Sequence, residues 1–134
     1  MKKPSFAVLL TLAGATVALG LLLAPSREPC AAPAPISFKE DVAPIFRGYC
    51  ISCHQPGGEG FEKSGLDLSS YAGVLKGTRF GPMVVAGDPD ASNLMWLLDW
   101  RASAALRMPH GKKQLPACER DIIRTWILQG AKDN

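Results

Sequence analysis

The stretch "YCISCHQPG", residues 49–57, places Cys50, Cys53 and His54 within five positions. Pro56 and Gly57, which disfavour a continuing helix, follow almost at once. Proteins use the Cys-x-x-Cys spacing for metal binding, for thiol–disulfide exchange and for covalent haem attachment. The surrounding sequence decides between these chemistries.

Two of these chemistries lack the sequence context that they need. A structural zinc site requires four ligands, and the neighbours Cys53 and His54 do not suit a tetrahedral arrangement. The remaining candidates, His110 and Cys118, lie far along the chain. A thioredoxin-like site begins a helix after a buried strand, whereas this motif closes a predicted helix. Two buried structural thiols beside a surface histidine would be the plain alternative.

Covalent haem attachment fits the spacing. On a helix, positions 50, 53 and 54 lie within about a 100° arc, so both thiols and the imidazole share one face. Cys50 and Cys53 would each add to a haem vinyl group, and His54 would be the proximal iron ligand. The other ring nitrogen of His54 should donate to a backbone carbonyl, which fixes the plane of the ring.

The amino-terminal segment, residues 1–24, has the form of an export signal. Lys2 and Lys3 precede an uncharged apolar run over residues 6–24. That pattern is typical of a secretory signal peptide, and the run is also close to the length that spans a bilayer. We therefore expect either a cleaved signal or a membrane anchor, with the rest of the chain exported to the periplasm or another extracytoplasmic space and possible anchoring to the inner membrane.

A linker and one domain make up the rest of the 134 residues. Residues 25–36 contain four prolines and predict an extended spacer. The domain, residues 37–134, holds 12 of the 15 basic and 11 of the 12 acidic residues, because Lys2, Lys3, Arg27 and Glu28 lie outside it. That balance gives no broad basic field, so nucleic acid is not an expected partner.

The domain reads as helices joined by long loops, with no strong strand alternation. Ser37 and Glu40 fit a capping box, and Pro44 marks the restart of a helix that should run from Ala43 into Cys53. Further expectations are a loop over residues 55–65, a short helix capped by Ser69 or Ser70 and ended by Gly77, an apolar helix within residues 91–100, and a last helix over residues 117–130 with a stripe of Cys118, Ile122 and Trp126.

Four stretches in order resemble the Planctomycete-type cytochrome c domain: "DVAPIFRGYCISCH", "GLDLSSY", "RMPHGKKQL" and "WILQGA". The resemblance covers residues 38–132. It implies a small, mostly α class I cytochrome c fold, with crossed N- and C-terminal helices around one covalently bound haem c. It also implies that Met108 is the sixth iron ligand.

The residues themselves favour the same sixth ligand but leave alternatives. Met108 lies in a loop, is followed by a proline and is far from His54 in sequence. Met95 falls within an apolar helix and should be core, while Met83 lies in a loop and remains a candidate. His110 is the other candidate ligand, although a solvated loop histidine is its plainer role.

Several further residues have both a haem-related and an ordinary structural interpretation. Tryptophans could line the haem or pack in the core, polar side chains could bind the propionates or face solvent, and lysines could steer an acidic redox partner or form an ordinary charged loop. The tryptophans are Trp96, Trp100 and Trp126. The polar side chains are those of Tyr71, Arg79 and Arg101, and the lysines are Lys112 and Lys113. Cys118 is expected to be a buried thiol, with Cys30 as a possible disulfide partner.

The sequence thus predicts an exported or membrane-anchored mono-haem cytochrome that carries single electrons between redox proteins and is not an enzyme. A filled sixth site leaves no open iron position for substrate chemistry. The alternatives are a haem enzyme or gas sensor whose sixth ligand exchanges, which carbon monoxide binding would distinguish, and an electron-entry subunit of a larger dehydrogenase.

Overall fold

A computed structural model describes residues 35–134, and these form a mostly helical domain as predicted. The expected signal or anchor, Cys30 and nearly all of the linker lie outside the described residues. Within residues 35–134 there is no strand, only an isolated bridge between Thr78 and Gly81. No helix of this range combines the length and the apolar character that crossing a membrane requires. The elements are a π-helical turn Phe38–Val42, α1 Ala43–Tyr49, α2 Glu59–Ser64, α3 Tyr71–Lys76, α4 Asn93–Leu98, a 3₁₀ turn Ala104–Leu106 and α5 Ala117–Leu128.

The first helical segment begins where the capping signal places it and ends earlier than predicted. The Ser37 hydroxyl accepts a hydrogen bond from the amide of Glu40 at 3.2 Å, which satisfies one free amide of the first turn. At the other end, the amides of Cys50 and Ile51 both donate to the Phe46 carbonyl, at 2.9 and 3.0 Å. The regular pattern of helical bonds stops there. The expected continuation of the helix into Cys53 is therefore wrong.

Helix α2 occupies a segment that was expected to be a loop. Its exposed Glu59 and Lys63 side chains form an i,i+4 ion pair at 2.7 Å. Gly65 ends the helix in the left-handed conformation, with φ of 75°, and donates its amide to the Phe61 carbonyl. The glycines of residues 55–65 lower the helix propensity of this segment, which is why the sequence predicted a loop. That prediction is wrong over residues 59–64.

Helices α3 and α5 lie where the sequence predicts them. Ser70 caps α3, since its hydroxyl accepts from the Gly73 amide at 3.1 Å, and Gly77 follows the last turn. On α5 the buried side chains are Ile123, Trp126 and Ile127, whereas the Cys118 end of the predicted stripe is exposed.

The core joins the start of the domain to its last helix. The ring of Phe38 lies 5.2 Å from that of Tyr71 and 5.4 Å from that of Trp126. The Tyr71 hydroxyl donates to the Ala131 carbonyl, and the Trp126 indole donates to the Lys132 carbonyl, each at 2.9 Å. The π-helical turn therefore packs on α5. The expected crossing of the first and last helices stays a prediction.

Candidate functional site

The cysteine–histidine motif forms one closed turn directly after α1. The amides of Cys53 and His54 both donate to the Cys50 carbonyl, at 3.1 and 3.0 Å. Two residues later in the chain also bond to this turn. The Phe61 amide donates to the Cys53 carbonyl at 2.9 Å, and the Leu68 amide donates to the His54 carbonyl at 2.8 Å. Cys50, Cys53 and His54 thus share a single turn although α1 has already ended.

Both thiols of the motif are free. Cys50 is half-buried and Cys53 is exposed. Burial raises the pKa of the Cys50 thiol to about 11; the nearby charge of Lys112 lowers it to a smaller extent, and Cys53 adds a small rise. A thiol that exchanges disulfides needs a lowered pKa, since the thiolate is the nucleophile. The raised pKa of Cys50 therefore argues against the redox-exchange alternative.

The imidazole of His54 lies flat against the backbone of α2. A methyl group added at Gly60 would lie 2.7 Å from Cε1 of the ring and 2.9 Å from each ring nitrogen. Burial lowers the pKa of His54, and the backbone of Leu66 raises it to a lesser extent. The ring is accordingly neutral at pH 7, the form that binds a metal.

The Nδ1 atom of His54 is buried and has no hydrogen-bond partner. A hydrogen bond with the Leu66 backbone nevertheless contributes to the pKa of the ring. The predicted bond from this ring to a backbone carbonyl therefore stays a prediction. Because Nδ1 is buried, it is the ring nitrogen suited to a backbone partner, and Nε2 is the nitrogen that could bind a metal.

The motif is not part of a larger cluster of metal-binding side chains. Across residues 35–134, no group of three or more histidine, cysteine, aspartate or glutamate side chains is arranged to hold a metal ion. A structural zinc site would need such a group, so the zinc interpretation gains no support from the described part of the chain.

The Met108 loop is held against the end of α4. The Met108 amide donates to the Leu97 carbonyl at 3.2 Å, and the Met108 carbonyl accepts from the Trp100 indole at 3.0 Å. The Met108 side chain is half-buried and packs on the core, and the peptide bond to Pro109 is cis.

The same loop comes close to the motif. The charge of Lys112 acts on the Cys50 thiol. The pKa of Glu59, at the start of α2, is lowered chiefly by Lys63 and also by the charge of His110. Lys112 therefore lies near Cys50, and His110 lies near Glu59, despite their separation in sequence.

The other candidate ligands occupy ordinary positions. Met95 is fully buried, which confirms it as core, and Met83 also belongs to the buried cluster. His110 is exposed, as a solvated loop histidine would be.

The residues proposed to line a haem or bind its propionates mostly have structural partners. The Tyr71 hydroxyl and Trp126 belong to the core contacts described above. Arg79 donates to the Glu62 carbonyl at 2.9 Å. The Arg101 guanidinium lies 4.6 Å from the centre of the Trp96 ring. Sequence reasoning did not identify the bond between Trp100 and Met108, because no sequence pattern marks such a contact.

Cys118 differs from its prediction. It is exposed and disulfide-bonded, so the expectation of a buried thiol is wrong. With Cys50 and Cys53 free, Cys30 is the remaining cysteine of the chain, and it lies outside the described residues.

Two cavities open on the described part of the domain. One of about 460 Å³ lies beside the motif, between Pro56, Phe61 and the α3 region up to Arg79. The other, of about 330 Å³, lies next to Trp126 and Asn134. The lining of neither includes the four predicted site residues, Cys50, Cys53, His54 and Met108.

Comparison with known proteins gives one match. Residues 50–110 match the family described as Planctomycete cytochrome C. The matched segment begins at the first cysteine of the motif and extends just past Met108. No curated protein and no solved structure matches the chain. The family implies covalently bound haem c, and the two free thiols followed by a neutral imidazole fit that group.

Proposed function

Since the chain carries a Planctomycete-type cytochrome c domain, we propose that it is an exported mono-haem cytochrome c that carries single electrons between redox proteins. The family points to a haem-binding electron carrier rather than an enzyme. When bound, haem c supplies an iron that takes up one electron in passing from ferric to ferrous and releases it again.

One observation carries the proposal. Cys50, Cys53 and His54 lie in a single closed turn, both thiols are free, and the imidazole ring lies against Gly60. Cys50 and Cys53 would hold the haem through two thioether bonds, one to each vinyl group. His54 would supply the proximal nitrogen ligand, and Gly60 would limit the movement of its ring.

Met108 is the proposed sixth ligand. Its loop approaches the motif, as the effects of Lys112 and His110 indicate, and its backbone is held at both the amide and the carbonyl. A thioether is a soft ligand that favours ferrous iron, so this ligand and the apolar surroundings would raise the reduction potential.

The decisive experiment tests attachment. We expect the haem to remain on the denatured chain through acid–acetone extraction, and the intact mass to contain one haem. A pyridine haemochrome spectrum identifies the two thioether links. In the Cys50→Ala/Cys53→Ala variant the extract should carry the colour. A colourless denatured wild-type chain with two titratable thiols at these positions would refute the proposal.

A second experiment tests the sixth ligand. Met108→Ala should lower the reduction potential, remove the weak charge-transfer band between methionine and ferric iron, and let carbon monoxide bind ferrous iron readily. His110→Ala is the matched control in the same loop and should change none of these. The reverse result would assign the ligand to His110, and rapid carbon monoxide binding by the wild type would favour a sensor or enzyme.

Export and anchoring are part of the proposal. Cytochrome c domains are typically extracytoplasmic. The basic start and the apolar run of residues 6–24 support export, with either a cleaved signal or a retained anchor. The redox partners would be proteins of that compartment. The intact mass of the exported protein shows whether residues 1–24 are retained.

A further inference from the structure

The backbone of Met108 is held by two residues at the end of α4. Its amide donates to the Leu97 carbonyl at 3.2 Å, and its carbonyl accepts from the indole nitrogen of Trp100 at 3.0 Å. Both polar backbone groups of Met108 are therefore bonded to the last turn of α4 and the residues directly after it.

These bonds satisfy groups that a helix end leaves unpaired. The last carbonyls of a helix have no partner within it. At the end of α4 the Leu97 carbonyl accepts from the Met108 amide as well as from the Trp100 amide at 3.3 Å, and the Leu98 carbonyl accepts from the Gln114 side chain at 3.1 Å. The Met108 loop thus serves as the cap of α4, and its position depends on how that helix ends.

Trp100 adopts an unusual conformation to make its bond. Its φ is 59°, in the left-handed region that a bulky side chain seldom adopts. The guanidinium of Arg107 lies 5.3 Å from the centre of the indole ring, and its Nε donates to the Ala102 carbonyl at 3.4 Å. The tertiary contacts therefore hold Trp100 against its local preference, with the indole directed at Met108.

We propose that Trp100 is a positioning residue for the iron ligand: its bond to the Met108 carbonyl keeps the Met108 thioether in place and so restricts displacement of this ligand. The inference rests on the proposed function, since it requires Met108 to bind iron. Trp100 touches the backbone of the ligand and acts only through it.

The chain offers a matched control in α4 itself, four residues before Trp100. Trp96 also donates its indole N–H to a backbone carbonyl, that of Asp90 at 2.9 Å, and also carries an arginine, Arg101, on its ring. Trp96→Phe and Trp100→Phe therefore remove the same kind of bond and leave an aromatic ring. Only Trp100→Phe removes a bond to Met108.

The test measures imidazole binding to the ferric, haem-loaded protein, in which imidazole displaces the methionine. Loss of one hydrogen bond should strengthen imidazole binding by about fivefold in Trp100→Phe, equivalent to about 1 kcal/mol, and weaken the methionine charge-transfer band. Trp96→Phe should bind imidazole as the wild type does. Equal binding by the two variants would overturn the inference.

Two further variants make the outcome decisive. If Trp100→Phe does not fold, Trp100→Asn replaces it, because asparagine tolerates the left-handed backbone and also removes the indole. Its imidazole binding should rise as well, and no rise would overturn the inference. Met108→Ala separates the two levels of the argument. If Met108→Ala leaves the spectrum intact, the assigned ligand is wrong. If it alters the spectrum while both Trp100 variants bind imidazole as the wild type does, only the role of Trp100 fails.

Discussion

The contact between Gly60 and the His54 ring predicts the effect of one added methyl group. Gly60 lies inside α2 and does not have a positive φ, so alanine suits its backbone. The new Cβ would lie 2.7 Å from Cε1 of the ring, whereas ordinary contact begins at 3.4 Å. The ring would have to retreat by about 0.7 Å.

Two opposing terms set the size of the effect. Replacing a helical glycine by alanine stabilises a helix by roughly 1 kcal/mol. Forcing a methyl group into an occupied space costs roughly 1–3 kcal/mol. The net loss for Gly60→Ala is up to about 2 kcal/mol, and it approaches that limit in the haem-loaded protein, where an iron bond would prevent the His54 ring from retreating. In a domain of this size such a loss lowers the melting temperature by roughly 5–15 °C.

Gly48→Ala is the control. Gly48 lies in α1, and a Cβ there meets nothing within 4 Å, so the alanine should leave stability unchanged or raise it slightly. The assay is thermal unfolding of both haem-loaded variants, followed by circular dichroism and haem absorbance. The reasoning would be refuted if Gly60→Ala had the same melting temperature as Gly48→Ala and kept the wild-type haem spectrum.

Two other features give predictions of their own. Cys118 is disulfide-bonded, so Cys118→Ser should raise the number of titratable thiols by one and lower stability by roughly 2–4 kcal/mol. Thiol counting and chemical denaturation check this, and an unchanged thiol count would contradict it. Asp99 is mostly buried and bonded to Arg124, so Asp99→Ala should cost about 1–3 kcal/mol in chemical denaturation. Exposed Glu59 is the control, because Glu59→Ala should leave the unfolding free energy nearly unchanged. An equal loss of unfolding free energy in Asp99→Ala and Glu59→Ala would contradict this prediction.

Local signals in the sequence predicted the helix starts and the long last helix. Ser37 and Ser70 cap the elements that they were expected to cap, because a hydroxyl bonded to an amide three residues later is a local interaction. The apolar period of the last helix likewise predicted part of the buried side of α5, since Trp126 of the expected stripe is buried. Such features depend on neighbours along the chain and can be read from it.

The ends of helices and the short helix α2 could not be predicted in the same way. Helix α1 stops where two amides share the Phe46 carbonyl, and α2 forms although glycines surround it. The Phe61 amide donates to the Cys53 carbonyl, so α2 is anchored by the motif turn before it. Tertiary contacts of this kind override weak local propensity.

In the candidate site, too, the local sequence pattern predicted the motif residues but not the contacts between residues that are distant in sequence. Local spacing indicated Cys50, Cys53 and His54, and all three lie in one turn held by the Cys50 carbonyl. The disulfide of Cys118 and the bond from Trp100 to Met108 join residues that no sequence pattern connects.

The motif turn and the Met108 loop, the two halves of the candidate site, both lie at the carboxyl end of a helix. The motif turn follows the end of α1, and the Met108 loop caps the end of α4, so each half begins where a helix leaves its last carbonyls to be satisfied. The proposed ligands are therefore fixed by hydrogen bonds at helix ends rather than by packing inside a helix. A substitution at such an end can alter the hold on His54 or Met108 while the buried side of α5, which supports the fold, stays intact. Ligand strength and domain stability should for this reason be separable by mutation.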